Sequence, residues 1–134
     1  MRVDWAIPCR YVEINDGLAT IIGAGIDTFT VLELPVDLQV LLAVRLVGPS
    51  VDFQPDRQHE LVGRVLDTQM NEISQLTSTF NALPNPTHLA GWEQATIFGV
   101  VHQFRADTAG AYTIDLAVDG QGHTVPLIVR VPGG

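Results

Sequence analysis

The sequence has no lysine, one cysteine and few charged residues, 16% in all. Its seven basic side chains are therefore all arginine, set against fifteen acids for a formal net charge of −8. A surface of that sign repels phosphate backbones and anionic headgroups, so neither nucleic acid nor a membrane is expected as a partner. Cys9 stands alone and can form no internal disulfide, and nothing like a secretory leader precedes the strand pattern that begins at Arg2. A reducing cytoplasm is the expected compartment. Apolar runs such as Val40 to Val44 fall far short of the roughly 20 residues that cross a bilayer.

Equally missing are the local signatures of catalysis. No serine sits in a Gly-x-Ser-x-Gly elbow, and Cys9, on one face with Trp5 and Ile7, reads as a buried, inert thiol. His59, His88, His102 and His123 share no metal-ligand spacing, although His102 and His123 would meet if their strands were neighbours. Gly23-Ala24-Gly25 lacks the strand-glycine-helix setting of a nucleotide fingerprint, and Asp16-Gly17 and Asp119-Gly120 lack the acidic spacing of a calcium loop. No catalytic residue, metal or cofactor is expected, and the chain is not expected to be an enzyme.

What the sequence does contain is alternation. In the stretch Gly110 to Val131, Tyr112, Ile114, Leu116 and Val118 alternate with Thr113, Asp115, Ala117 and Asp119, the period of a strand with one wet face. Pairing Val118 with His123, Leu116 with Val125, Ile114 with Leu127 and Tyr112 with Val129 places the large apolar side chains on one side of a hairpin. That hairpin needs a second layer, and Tyr112, Ile114, Leu116 and Leu127 are its expected structural residues, with Trp5 on the first strand.

The rest of the chain repeats the pattern. Val3, Trp5, Ile7, Cys9 and Tyr11 form a first strand that Pro8 marks as an edge or a bend, and Asn15-Asp16-Gly17 is a turn signal before Leu18, Thr20 and Ile22. Ile26 to Val31 resumes as a strand after the glycines, turning a corner between two sheets. Leu38, Val40, Leu42, Val44 and Leu46 are backed by a second, largely apolar face, which places that strand in the middle of a sheet. Gln58 to Asp67 is strand-like. Met70, Ile73, Leu76 and Phe80 fit a helical stripe, but the serines and threonines between them favour a strand from Glu72 to Phe80. Gln94 to Arg105 carries Thr96, Phe98, Val100, His102 and Phe104 on one face, with Gly99 a candidate bulge.

Turn signals at intervals of roughly ten residues, with no dependable helix between them, predict one all-β domain over residues 1–134: an antiparallel β-sandwich of about eight strands. Asp107-Thr-Ala-Gly110-Ala-Tyr112 has the form of the tyrosine corner of immunoglobulin-like sandwiches, with Ile114 where a disulfide cysteine would stand.

The run Val3-Asp4-Trp5-Ala6-Ile7-Pro8-Cys9-Arg10-Tyr11-Val12-Glu13, then Ile21-Ile22-Gly23-Ala24-Gly25-Ile26-Asp27, Leu34-Pro35, and the Gly110-Ala-Tyr112 and Asp119-Gly120 hairpin, resembles a family of small, uncharacterised bacterial proteins. That family is a domain of unknown function. The resemblance implies a β-sandwich and brings no activity or site residue with it.

The expected function is that of a non-enzymatic sandwich that binds a protein partner or itself, with Pro8 and Pro126 marking sheet edges. Two alternatives remain at this level: a small-ligand site or enzyme without a sequence signature, and a protein modifier conjugated through Gly133 and Gly134. The second would call for a β-grasp helix after the first hairpin, where Ile21 to Val31 reads as a strand.

Overall fold

The alternating pattern becomes ten strands in a computed structural model that describes residues 1–133. They are β1 (Arg2–Cys9), β2 (Tyr11–Asn15), β3 (Leu18–Ile22), β4 (Thr28–Thr30), β5 (Val36–Gly48), β6 (Gln58–Leu66), β7 (Glu72–Asn81), β8 (Gln94–Ala106), β9 (Gly110–Val118) and β10 (Gln121–Arg130). One sheet has the order β1-β5-β8, the other β4-β10-β9-β6-β7, and β2 and β3 form a separate hairpin. All pairings are antiparallel except the short one between β4 and β10. The two larger sheets share one core, with Val40, Leu42, Val44 and Val100 from the first meeting Leu61, Ile114, Leu116 and Leu127 from the second. The chain is an all-β sandwich, and residues 72–81 are strand rather than helix.

The C-terminal hairpin is tighter than its sequence suggested. Asp119 and Gly120 have φ angles of 49° and 83°, the left-handed pair of a two-residue turn, and Gln121 rather than His123 faces Val118. Every expected pair shifts by two residues, so Leu116 faces His123, Ile114 faces Val125 and Tyr112 faces Leu127. A shift of two preserves the side-chain faces. Tyr112, Ile114, Leu116 and Leu127 are all at most 1% exposed. The Tyr112 hydroxyl donates to the Thr108 carbonyl at 2.7 Å, tying the β8–β9 corner.

The first strand departs from simple alternation. A register shift between Val3 and Trp5 changes its parity, so Val3 opposes core residue Leu46 while Trp5, Ile7 and Cys9 oppose Arg45, Ala43 and Leu41. Trp5 is thus half-buried on the outer face of the three-stranded sheet, apart from the core cluster. The strand then breaks at Arg10, whose N–H bonds the Ile22 carbonyl, and the chain leaves the sheet as the β2–β3 hairpin. This break, with the short β4, raises the strand count above the eight expected.

The hairpin also explains why β5 is apolar on both faces. It packs against β8 on the outer side of the sheet, and a Cβ on Gly99 would lie 2.8 Å from Val12 Cγ1. Gly99 is therefore not a bulge; the β5–β8 register runs unbroken through it. Its missing side chain makes room for the hairpin.

Candidate functional site

Chemistry in this fold can only arise where polar groups converge or where the sheets leave space. The polar convergence is at one end of the sandwich. Asp52, in a 3-10 turn at Ser50–Asp52, is buried, accepts from the Met1 amine at 2.7 Å and forms an ion pair with Arg57 at 3.2 Å. Burial works against its charge, but the hydrogen bond and charge of the Met1 amine, with Arg57 and His59 adding, hold its carboxyl below the ordinary aspartate value of 3.8. Beside it, His59 Nδ1 meets Asp119 Oδ2 and Nε2 meets the Asp52 carbonyl, each at 2.6 Å.

A His–Asp pair invites comparison with a catalytic dyad. Here both ring nitrogens are already bonded to acceptors and the ring is 1% exposed, so no nitrogen is free to take a proton from a substrate. The cluster instead fastens the β9–β10 turn and the chain before β6 to the N-terminal end of β1.

Cys9 is buried, and burial pushes its thiol pKa up against the weaker lowering effect of hydrogen bonds with the Ala43 and Tyr11 backbone. Arg10 lines a hollow together with it, but no positive charge draws the thiol down. Among the described residues no three His, Cys, Asp or Glu side chains converge as a metal site. His102 and His123 are not joined: they lie on β8 and β10, in different sheets, and neither ring nitrogen of His102 has any hydrogen-bond partner.

Space is left in more than one place: a hollow of about 590 Å³ is lined by Cys9, Arg10, Thr28 and Leu41, and another lies on the side where the sheets do not match. Five strands face three, and β7 and β8 are the outermost strands of their sheets on that side. The β6–β7 register points Ser74, Leu76, Ser78 and Phe80 inward with Leu61, Gly63 and Val65; Leu76 and Phe80 pack against the margin of the core, and among the described residues no strand of the opposite sheet follows β8 beyond them. A slot of about 820 Å³ results, walled by Phe80 and Phe98, the hairpin tip at Ile14 and Leu18, and the loop at Leu83 to Pro86. Leu18 is 76% exposed and Leu83 73%. Farther along the same seam a hollow of about 190 Å³ is lined by Ser74, Leu76 and His102. The seam is crossed by a Ser74 Oγ hydrogen bond to the Gln103 carbonyl at 2.8 Å and by stacking of Phe80 on Phe98 at 5.3 Å.

The structural residues named from sequence (Tyr112, Ile114, Leu116 and Leu127) gather at the closed side, remote in sequence from this slot. Gly133 follows β10 as an exposed turn residue, and Gly134 lies outside the described residues. Among the described residues the only helical turn is Ser50–Asp52, so the long helix that a β-grasp modifier requires is not found there. Among the described residues no helix is long and apolar enough to cross a membrane. The slot itself was missed by sequence reading; its one signal was the group of apolar residues at Ile14, Leu18 and Leu83 in segments rich in turn formers.

No curated protein and no solved structure matches the chain. Residues 4–130 match the model of a family described as a family of unknown function, DUF6941, and the chain belongs to that family.

Proposed function

We propose that this chain is a non-enzymatic, immunoglobulin-like interaction domain that binds a protein partner, or another copy of itself, at the open β7–β8 side. The observation that carries this reading is the slot. It is an apolar concavity on a soluble-type acidic surface, with Leu18 and Leu83 more than 70% exposed at its rim. Side chains of that kind are stabilised by being covered, and the absence of a free acid–base pair beside them favours binding over chemistry.

The strand order supports the immunoglobulin-like reading. In such sandwiches strands A, B, E and D form one sheet and C, F and G the other, with C′ added in variable-type domains. Here β1, β5 and β8 take the places of A, B and E, while β10, β9, β6 and β7 take those of G, F, C and C′. Tyr112, near the start of the F-like strand, bonds back to Thr108 as a tyrosine corner does. The D position beside β8 has no strand, and that is where the slot lies. A cytoplasmic setting suits the single buried cysteine.

The test is site-specific photo-crosslinking in the native host, with the photoreactive residue at Leu18 or Leu83 and, as a control, at the exposed Ile128 on β10. The expected result is one discrete adduct from Leu18 and Leu83 and none from Ile128. Light scattering over a range of concentrations then decides between a second copy and a different protein. Equal cross-linking at all three positions, or none at any, would sink the reading.

A further inference from the structure

We infer that the hollow beside Cys9 is a second binding site, independent of the slot, and that it takes a monocarboxylate with an apolar body through Arg10. The hollow lies between two unpaired strand edges. β1 pairs with β5 only as far as Cys9 and Leu41, so residues 36–40 of β5 have no strand on that side. β4 stands first in its sheet, with β10 as its one neighbour. Its ladder uses the Asp27 carbonyl, at 2.7 Å from the Ile128 nitrogen, and the Val31 N–H, at 2.8 Å from the Arg130 carbonyl. The intervening Thr28 and Thr30 therefore turn their peptide groups away from β10, to the side where the hollow opens. At about 590 Å³ the space is of the size that takes small ligands.

Arg10 is set into this wall by the chain around it. Its N–H donates to the Ile22 carbonyl at 2.9 Å, and the Gly25 N–H donates to the Pro8 carbonyl at 2.8 Å, which wraps the Gly23–Gly25 turn over the arginine. A Cβ at Gly23 would lie 2.9 Å from Arg10 Cγ, so the bare glycine is the seat of the arginine stem. The guanidinium is left without an acid. Five of the seven arginines are ion-paired, with Glu93, Asp4, Asp52, Glu72 and Asp107, and Arg130 donates to Thr30 Oγ1 at 3.0 Å. Among the described residues Arg10 has neither kind of partner, in a chain with fifteen acids to choose from.

The lining selects the ligand. Arg10 is its one charged residue, and the nearby Asp27 carboxylate, which accepts from the Thr28 hydroxyl at 3.1 Å, is not part of it. A guanidinium presents a planar fork that matches a carboxylate, and Thr28, Thr30 and Gln39 add further polar groups. Ile26, Leu41 and Val101 offer apolar contact to the remainder of the molecule. A single unpaired cation in a chain of net −8 favours one negative charge over the two of a phosphate.

The probe is 3-phenylpropanoate, titrated to about 10 mM into isotope-labelled full-length protein at neutral pH. Amide shifts are expected at Arg10, Thr28, Thr30 and Gln39, saturating with a Kd of about 1 mM. The uncharged 3-phenylpropanamide should bind at least about tenfold more weakly. Arg10→Gln should weaken the acid by a similar factor without altering the amide, and Arg10→Lys should recover only part of the loss. Leu18→Asp, at the slot, should change neither. If Arg10→Gln fails to fold, the acid and its amide still decide the question on the unaltered protein. A short peptide ending in phenylalanine separates two sources of the same group. Tighter binding than the free acid, lost when the C-terminus is amidated, assigns the hollow to the chain end of a partner; weaker binding assigns it to a free acid.

Equal shifts from acid and amide, shifts centred on the slot, no shifts at all, or an Arg10→Gln protein that binds the acid unchanged would overturn the proposal. So would inorganic phosphate binding more tightly than the acid, since a dianion would then be the better occupant. Cross-linking at Leu18 and Leu83 reports on the slot alone, so either site can fail without the other.

Discussion

On the closed side of the sandwich β9 lies between β10 and β6, and each second side chain from Tyr112 to Val118 is at most 1% exposed. On the open side β7 turns Ser74, Leu76, Ser78 and Phe80 toward the margin of the core, where β8 is the last strand of the opposite sheet. Both regions are built from alternating strands of ordinary composition. They differ in whether the opposite sheet is wide enough to cover them. Stability in this molecule is therefore concentrated where strand numbers match, and binding potential where they do not.

The sharpest way to break the comparison is to place the same charge on each side. Leu116→Asp buries a carboxylate without a partner at 0% exposure, and it is expected to cost more than about 4 kcal/mol and abolish the cooperative thermal transition. Leu18→Asp, at the rim of the slot, should leave the unfolding free energy within about 0.5 kcal/mol of the parent. A cooperatively folded Leu116→Asp protein, followed by circular dichroism, would contradict the burial of the closed face.

The polar cluster that fastens the closed end should come next in size. Asp52→Ala leaves the Met1 amine without its buried partner and is expected to cost about 3 kcal/mol in denaturant unfolding. The pH dependence follows from the depressed carboxyl. Its stabilisation is complete above the ordinary value of 3.8 and disappears as pH falls through the lower folded value. The melting temperature of the parent should hold from neutrality to about pH 4 and then fall, and that acid-side loss should be smaller in Asp52→Ala. Equal acid sensitivity in the two proteins would remove Asp52 as its source.

Smaller effects should separate the open side from the hairpin behind it. Gly99→Ala puts a methyl group 2.8 Å from Val12 Cγ1, and about 1–2 kcal/mol of destabilisation is expected. Val12→Ala should recover most of that loss in the double variant, a coupling that strictly additive effects would disprove. Smaller again is the loss expected for Tyr112→Phe, which deletes the hydrogen bond to Thr108 and should cost about 1 kcal/mol. An unchanged midpoint would mean that the corner is held by packing alone.

How much of this was legible in the sequence depends on the distance over which each feature is set. The faces of β9 and β10 could be read because side-chain direction alternates with every residue of a strand. Their register was displaced by two because it depends on the length of the turn, and Asp119-Gly120 closes as a two-residue turn. For Trp5, one irregularity after Val3 reversed the face, and nothing in the alternation of Val3, Trp5 and Ile7 marks that shift. Gly99 looked like a bulge because a strand glycine has several causes, and its actual neighbour, Val12, is far away in the chain. The His59–Asp119 contact was not legible, since it joins residues 60 positions apart.

The sequence alone determined an all-β chain, with its strands, turns and apolar faces, because those are properties of neighbouring residues and the backbone's own period. Only the tertiary structure decided that three strands would face five, that the β2–β3 hairpin would cover the outer face of β8, and that β8 would be the last strand of its sheet. Those outcomes rest on pairing and packing between distant segments, where the burial gained by a whole sheet outweighs any local preference.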